Sequence, residues 1–425
     1  MIKELSLYAQ NDKGLTAEEI GGAIAEAVVD LKGSGKRLLL IVPDVTRYHS
    51  NAGLIANLIY HQLDDCRVDL LPALGTHVPM TEEECADMYG DIPFDRFLVH
   101  NWRTDIKPIG TVPADFVREV SEGLMDQEVK VEINQQIVDG GYDLILSIGQ
   151  VVPHEVVGMA NHSKNVLVGC GGSEIINFSH ILGAFYGMER LMGKDFSPVR
   201  LVFDYAADHF LKDLPLSYIL TVTTAPEDQI RTHGLFIGRD RSYFEQAVAL
   251  SQEKNIIFLD KPIKKALVYL DPKEFKSTWL GNKSIYRTRM AIADGGDLIV
   301  LAPGVDKFGE DEAVDALIRK YGYCGRKKVI ELCRTRQDLA DNLAAAAHLI
   351  HGSSDDRFKI TYCTKLLSGE EIEGVHFDYA PYEEMRDRYN PDSLVEGYNT
   401  MPDGEEIFYI SNPALGLWID RGKFA

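Results

Sequence analysis

Residues 152–180 read VPHEVVGMANHSKNVLVGCGGSEIINFSH, which crowds His154, His162, Lys164, Cys170, Gly171, Gly172 and His180 into one short span. Imidazoles, an amine and a glycine-rich turn this close together suit a zinc site, a phosphate cradle or a cofactor tethered through the lysine. Local spacing alone does not choose between them. A zinc site would use His154, His162 and His180, but the chain has no H-E-x-x-H helix and no acidic partner at a familiar offset. GCGGSEII is placed to open a helix whose backbone amides meet a phosphate, yet it fits neither G-x-x-x-x-G-K-[ST] nor G-x-G-x-x-G.

Further reactive residues stand at the ends of apolar runs. LLLIVPDVTR delivers Asp44, Thr46 and Arg47; LLPALGTH delivers Thr76 and His77; LILSIGQVVPH delivers Gln150 and His154. Ligands of open α/β sheets bind outside the carboxyl ends of parallel strands, where residues distant in sequence converge. Each residue also has a plainer reading. Asp44 and Arg47 suit a mutual pair or a helix cap, Lys164 a solvated loop, and His348 with His351, three apart on a helix, a structural role. The residues themselves therefore point to a hydroxy-, keto- or phosphate-bearing anion held by Arg47, with histidine as acid and base, and leave the reaction open.

The elements that position these groups follow from periodicity. TAEEIGGAIAEAVVDLKGSG has apolar residues at helical spacing and a glycine stop. KRLLLIVPD then reads as a strand, NAGLIANLIYHQLDD as a helix, RVDLLPALGTH as a strand, and TEEECADMYG as a helix opened by a Thr81–Glu84 capping box. YDLILSIG adds a strand before the crowded span. The second half repeats this grammar with NIIFLD, KALVYLD, GDLIVLAPG, KKVIELC and FKITYC as strands, and helices around 284–293, 311–321 and 337–348. Apolar runs alternating with helices predict mainly parallel strands buried on both faces. The expected architecture is two α/β domains facing an interdomain cleft. The first spans 1–260 and holds the catalytic and cofactor-binding groups, the second spans 261–399, and the tail over about 400–425 returns to the first.

Composition narrows the classes. A formal charge of -21 without a basic run argues against nucleic acid as partner. No apolar run reaches the ~20 residues that span a bilayer. MIKELSLYAQNDKG lacks the features of a signal peptide, so a cytoplasmic protein with a small-molecule substrate is expected. The six cysteines are scattered with no C-x-x-C pair, which reads as reduced, mostly buried thiols.

PDVTRYHS, ALGTHVPMTEEE and VVPHEVVGMANHSKNVLVGCGGSEIINFSH, in this order, resemble the nickel-dependent lactate racemase family. In that family a P-H pair is followed at fixed spacing by a lysine and then a histidine, and His154, Lys164 and His180 fall on those marks. The resemblance implies a nickel-pincer nucleotide (the nickel complex of pyridinium-3,5-bisthiocarboxylic acid mononucleotide) joined covalently to Lys164. His180 would be the protein ligand of nickel, and His77 and His154 the acid/base pair. Arg47 would hold the substrate anion, Asp44 and Thr46 would contact the cofactor, and Gly171 and Gly172 would let backbone amides approach it. The implied activity is racemisation or 2-epimerisation of a 2-hydroxy acid through a 2-keto acid, with cofactor-biosynthesis proteins as suppliers.

Two departures from the family pattern bear on the substrate. The chain reads NHSK where the family has G-G-R-K, which adds His162 as a candidate substrate contact. In the second half it reads APGVDKFGEDEAVDALIRK where the family has G-G-Y-P-L-D, leaving Lys307, Arg319 and Lys320 as candidates for the missing cation. Extra polar groups favour a sugar acid such as gluconate over lactate, since buried donors and acceptors want hydroxyl partners. The alternatives are lactate or another short 2-hydroxy acid, a cofactor carrier or sensor, and a zinc-dependent hydrolase.

Overall fold

The computed structural model describes residues 2–226 and 229–424 of the chain. It divides into two compact units, residues 1–186 with 191–255, and residues 187–190 with 256–425.

The first unit contains β1 (Leu5–Tyr8), β2 (Arg37–Val42), β3 (Arg67–Pro72), β4 (Ile106–Val112), β5 (Val129–Asn134), β6 (Leu144–Gln150), β7 (Pro153–His154), β8 (Gly158–Met159), β9 (Leu216–Thr224) and β10 (Arg231–Gly238). Its main sheet has the order β1-β10-β9-β6-β2-β3, parallel from β9 to β3 and antiparallel at β10 and β1. In β2, Leu38, Leu40 and Val42 pack into one apolar cluster and Leu39 and Ile41 into another, all fully buried. A strand covered on both faces cannot alternate apolar and polar residues, which is why it reads as a continuous apolar run. Helices Ala17–Ala27 and Glu82–Tyr89 both open with capping boxes, from Thr16–Glu19 and from the expected Thr81–Glu84 pair.

The second unit contains β11 (Ile257–Leu259), β12 (Ile263–Tyr269), β13 (Ile292–Ala302), β14 (Lys359–Thr364), β15 (Asp378–Tyr379), β16 (Gly397–Thr400), β17 (Glu406–Ile410) and β18 (Trp418–Asp420). Its sheet has the order β15-β14-β13-β12-β17-β16, with only β16 antiparallel. Both units are thus α/β with parallel-dominated sheets, as the periodicity predicts. Among the described residues no helix is long and apolar enough to cross a membrane.

Three expectations about the elements need correction. The tail belongs to the second unit: β17 pairs with β12 and β18 with β11, so the boundary falls near 255 and β11 goes with the second unit. KKVIELC is part of the helix Arg326–Thr335, where Val329 is buried, Ile330, Leu332 and Cys333 are half-buried, and Lys327, Lys328, Glu331 and Arg334 are exposed. Short apolar runs do not separate strand from helix, and there the surrounding charges decide. The helix expected over 284–293 stops after Tyr286, and β13 starts at Ile292.

Candidate active site

The site assembles where β2, β3 and β6 end side by side. After β2, Asp44 caps a short 3-10 stretch, Val45–Ser50, by accepting a hydrogen bond from the Thr46 amide at 3.1 Å. Thr221 and Thr223 of β9 donate to the Ser50 and His49 carbonyls at 2.7 and 2.8 Å, which pins this stretch across the sheet end. After β3, the Gly75 amide (φ 56°) donates to the Gly169 carbonyl at 2.8 Å, tying the His77 turn to the lysine-bearing segment. After β6, β7 and β8 form a small hairpin that carries buried His154.

Lys164 is positioned by the turn before it. Asn161 and His162 both adopt left-handed backbone, with φ 70° and 58°. Glycine meets that requirement most easily, which accounts for the glycine pair of the related pattern; asparagine and histidine are among the residues that tolerate it. Fully buried Arg200 fixes the turn by donating to the Ser163 hydroxyl (3.0 Å) and to the Met159 and Asn161 carbonyls (2.7 and 3.2 Å). Asn165 then donates to Ser147 of β6 at 3.1 Å, holding the π-turn Asn165–Gly169 on the sheet.

His180 lies on the helix Ser173–Tyr186, and Gly183 sets how closely that helix approaches the His154 loop. A Cβ at Gly183 would fall 2.4 Å from the Val156 carbonyl oxygen. The His180 Nδ1–H donates to the Ile176 carbonyl at 2.7 Å, so Nε2 keeps its lone pair for a metal.

The charges act on one another as a single cluster. His77 Nδ1 donates to Asp44 Oδ2 at 2.5 Å, and this bond raises the imidazole above its ordinary pKa against the opposing effects of burial, Arg47 and Lys164. Burial would raise the Asp44 carboxyl, but hydrogen bonds from His77 and Thr46 outweigh it and hold the group lowered. Burial drives His154 well below 6.5, with Lys164, Arg47 and His180 adding to the fall and Glu155 opposing it. Burial and then Arg47 lower the Lys164 amine to about 8, against Glu155. His180 is lowered by burial, partly offset by its bond to Ile176.

The structure therefore gathers Asp44, Thr46, Arg47, His77, His154, Lys164 and His180 in the first unit. It adds two groups that sequence reasoning missed. Glu155 directly follows His154 in PHEVVG, and its charge reaches His154, Lys164 and His180. Arg200 comes from the helix Pro198–Ala206, and nothing in its sequence neighbourhood signals the contact with the Lys164 turn.

Other candidates go elsewhere. The His162 ring stacks on Tyr218 and Phe244, at 4.1 and 5.0 Å between centroids, with both nitrogens buried and unbonded. It belongs to the core, so it is no substrate contact, and it cannot join His154 and His180 in a zinc site. Among the described residues no three His, Cys, Asp or Glu side chains gather to hold a metal ion.

Gly171 and Gly172 do not offer free amides: theirs donate to the Val168 and Glu132 carbonyls. These positions are glycine because a Cβ would collide with the Leu167 carbonyl at 1.8 Å, or press on Glu132 and Ile106 at 3.0 Å. In the second unit, Arg319 is already paired with Asp315 and Glu371, Lys320 with Asp338, and exposed Lys307 rests near the Glu310 carbonyl. His348 is structural as expected, buried on Trp279 and bonded to the Tyr323 hydroxyl at 3.0 Å.

Residues 13–191 match the family described as the lactate racemase N-terminal domain. Among solved structures, the chain is similar to a Thermotoga maritima protein at TM-score 0.77 and 24% identity, covering 97% of this chain and 99% of that one. It is also similar to the lactate racemase apoprotein of Thermoanaerobacterium thermosaccharolyticum at TM-score 0.71 and 18% identity, covering 96% and 93%. At these identities the likeness to the two structures is one of fold. No curated protein sequence matches the chain.

Proposed function

We propose that this chain, whose residues 13–191 match the lactate racemase N-terminal domain, acts as a member of that family and interconverts the C2 configurations of a 2-hydroxy acid with a nickel-pincer nucleotide bound in its first unit. The observation that carries the reading is a half-buried lysine, Lys164, whose amine is lowered to about 8, within charge reach of a histidine, His180, whose Nε2 is left open by a backbone bond on Nδ1. A lone protein ligand suits a metal whose remaining donors come from the cofactor, and a lowered amine suits covalent attachment at neutral pH. Lys164 would tether the group and His180 would ligate its nickel, with Asp44 and Thr46 near it.

When bound, the cofactor supplies a reversible acceptor for hydride, the difficult part of the chemistry. The protein supplies the rest. Arg47 holds the carboxylate, in the two-pronged geometry its guanidinium favours. His77 and His154 face the C2 oxygen and between them hydrogen-bond it and exchange its proton. Glu155 offsets part of the positive charge that Arg47 and Lys164 place around the buried imidazoles.

The preference for a sugar acid such as gluconate over lactate rests on the exposed Thr46, Tyr48 and His49 beside Arg47, since His162 is turned away. Proteins that make the cofactor would have to supply it. Intact mass after co-expression with those proteins tests the reading: wild type gains a nucleotide-sized adduct and Lys164→Ala does not. Bare-chain masses for both would reject the tether. Turnover of lactate with none of aldonic acids would reject the sugar-acid preference.

A further inference from the structure

His77 and His154 are held by opposite hydrogen bonds, and the difference assigns them different work. His77 Nδ1–H donates to the Asp44 carboxylate, which leaves Nε2 with a lone pair. His154 Nδ1 instead accepts the Val156 amide proton at 3.1 Å. A nitrogen that accepts a backbone N–H cannot carry a proton of its own, so the neutral ring has its proton on Nε2.

We propose that His77 alone exchanges the substrate's hydroxyl proton, while His154 is a fixed Nε2–H donor that orients the C2 oxygen without titrating. This rests on the functional reading above and divides its two histidines.

The chemistry of each ring follows from its bonds. At His77 the hydroxyl O–H bond breaks and an N–H bond forms on Nε2. The products are an alkoxide and an imidazolium, and Asp44 lies against the new cation. His154 has no such route. Taking a proton on Nδ1 would break the Val156 bond, and losing one from Nε2 would leave an imidazolate. The charges around it decide the same way. Lys164, Arg47 and His180 all oppose a cation there, and the carboxylate that favours one, Glu155, lies 3.9 Å from Nδ1, beyond hydrogen-bond range. Around His77 the balance reverses, with Asp44 in contact and outweighing the opposing charges of Arg47 and Lys164.

The test uses cofactor-free protein labelled with 15N in its histidine rings, the two signals being assigned from His77→Gln and His154→Gln. Between pH 5.5 and 8.5, about one unit below and two above the ordinary histidine pKa, His154 should stay neutral with its proton on Nε2. His77 should be protonated on Nδ1 throughout and titrate at Nε2. A His154 imidazolium in that range, or a proton on its Nδ1, overturns the assignment. This readout needs no cofactor, so it stands apart from the mass test of the tether. In loaded enzyme, His154→Gln keeps an N–H donor and should lose less than about tenfold in kcat, whereas His77→Gln should lose about 10²-fold or more, the usual scale of a general base. Equal losses in the two glutamine variants also overturn the division.

Discussion

The carboxylate of Asp44 and the imidazole of His77 meet at 2.5 Å, although 33 residues separate them in the chain and each follows a different strand. Their backbones are aligned because β2 and β3 are parallel neighbours, paired residue for residue from Arg37–Arg67 to Val42–Pro72. The contact sets both the tautomer and the basicity of His77.

Replacing Asp44 with Asn should show that dependence in a pH profile. His77 is raised chiefly by its bond to Asp44, so the amide lets its pKa fall and the acid limb of activity moves to lower pH. The plateau should drop by about 10²-fold, because a weaker and less firmly oriented base remains. The stability signs are opposite for the two partners. The raised His77 contributes fully below its unfolded pKa, and the contribution is lost as pH climbs through the folded value. The lowered Asp44 contributes above its unfolded pKa, and loses it as pH falls through the folded value. The pair therefore supports folding most between these limits. An unchanged acid limb in Asp44→Asn would contradict the coupling.

Lys164 should be unusually reactive in cofactor-free protein. With the amine lowered to about 8, roughly a tenth is unprotonated at pH 7, against about 1 in 3,000 for an ordinary lysine. Acylation by acetic anhydride, followed by peptide mass spectrometry, should show a half-maximal rate near pH 8 at this site. Arg47→Ala removes a like charge, so the midpoint should move up. A midpoint near that of exposed lysines would refute the site's electrostatics.

His162→Phe should stabilise the protein and flatten its acid sensitivity. His162 is kept neutral by burial and by the charges of Arg200 and Arg241. Its folded pKa is lowered, so only the unfolded chain takes up the proton as pH falls below about 6.5, which costs about 1.4 kcal/mol per unit. Phenylalanine keeps the ring between Tyr218 and Phe244 and removes two buried, unbonded nitrogens, a gain of about 1–3 kcal/mol less some strain at a left-handed backbone position. Urea midpoints at pH 5 and pH 7.5 measure both effects.

Arg200→Met should loosen the turn that presents Lys164. It leaves the Met159 and Asn161 carbonyls and the Ser163 hydroxyl without their buried donor, at a cost of about 3 kcal/mol. Amide exchange should quicken across 159–165 more than in β2 or β6. Uniform quickening throughout the first unit would instead mark Arg200 as a general core residue.

The sequence by itself determined the strand ends and hence which residues gather at most of the candidate site. Runs such as LLLIVPD and LILSIG are unbroken because their strands are buried on both faces, and the residues that follow them must emerge at the carboxyl edge. Asp44, Arg47, His77 and His154 were legible for that reason, and Lys164 and His180 from the spacing they share with a known family. Tertiary structure decided what local pattern cannot encode. His162 looked like a site residue beside Lys164, but a left-handed turn sends its ring into the core against Tyr218 and Phe244. Gly171 and Gly172 looked like a cradle, yet their amides are taken by carbonyls that only the folded turn brings near. Arg200 reaches the Lys164 turn from a helix far along the chain, and the tail pairs with β12 and β11 rather than with the first unit. Periodicity reports which residues are buried; which buried groups meet depends on contacts distant in sequence, and those exist only once the chain has folded.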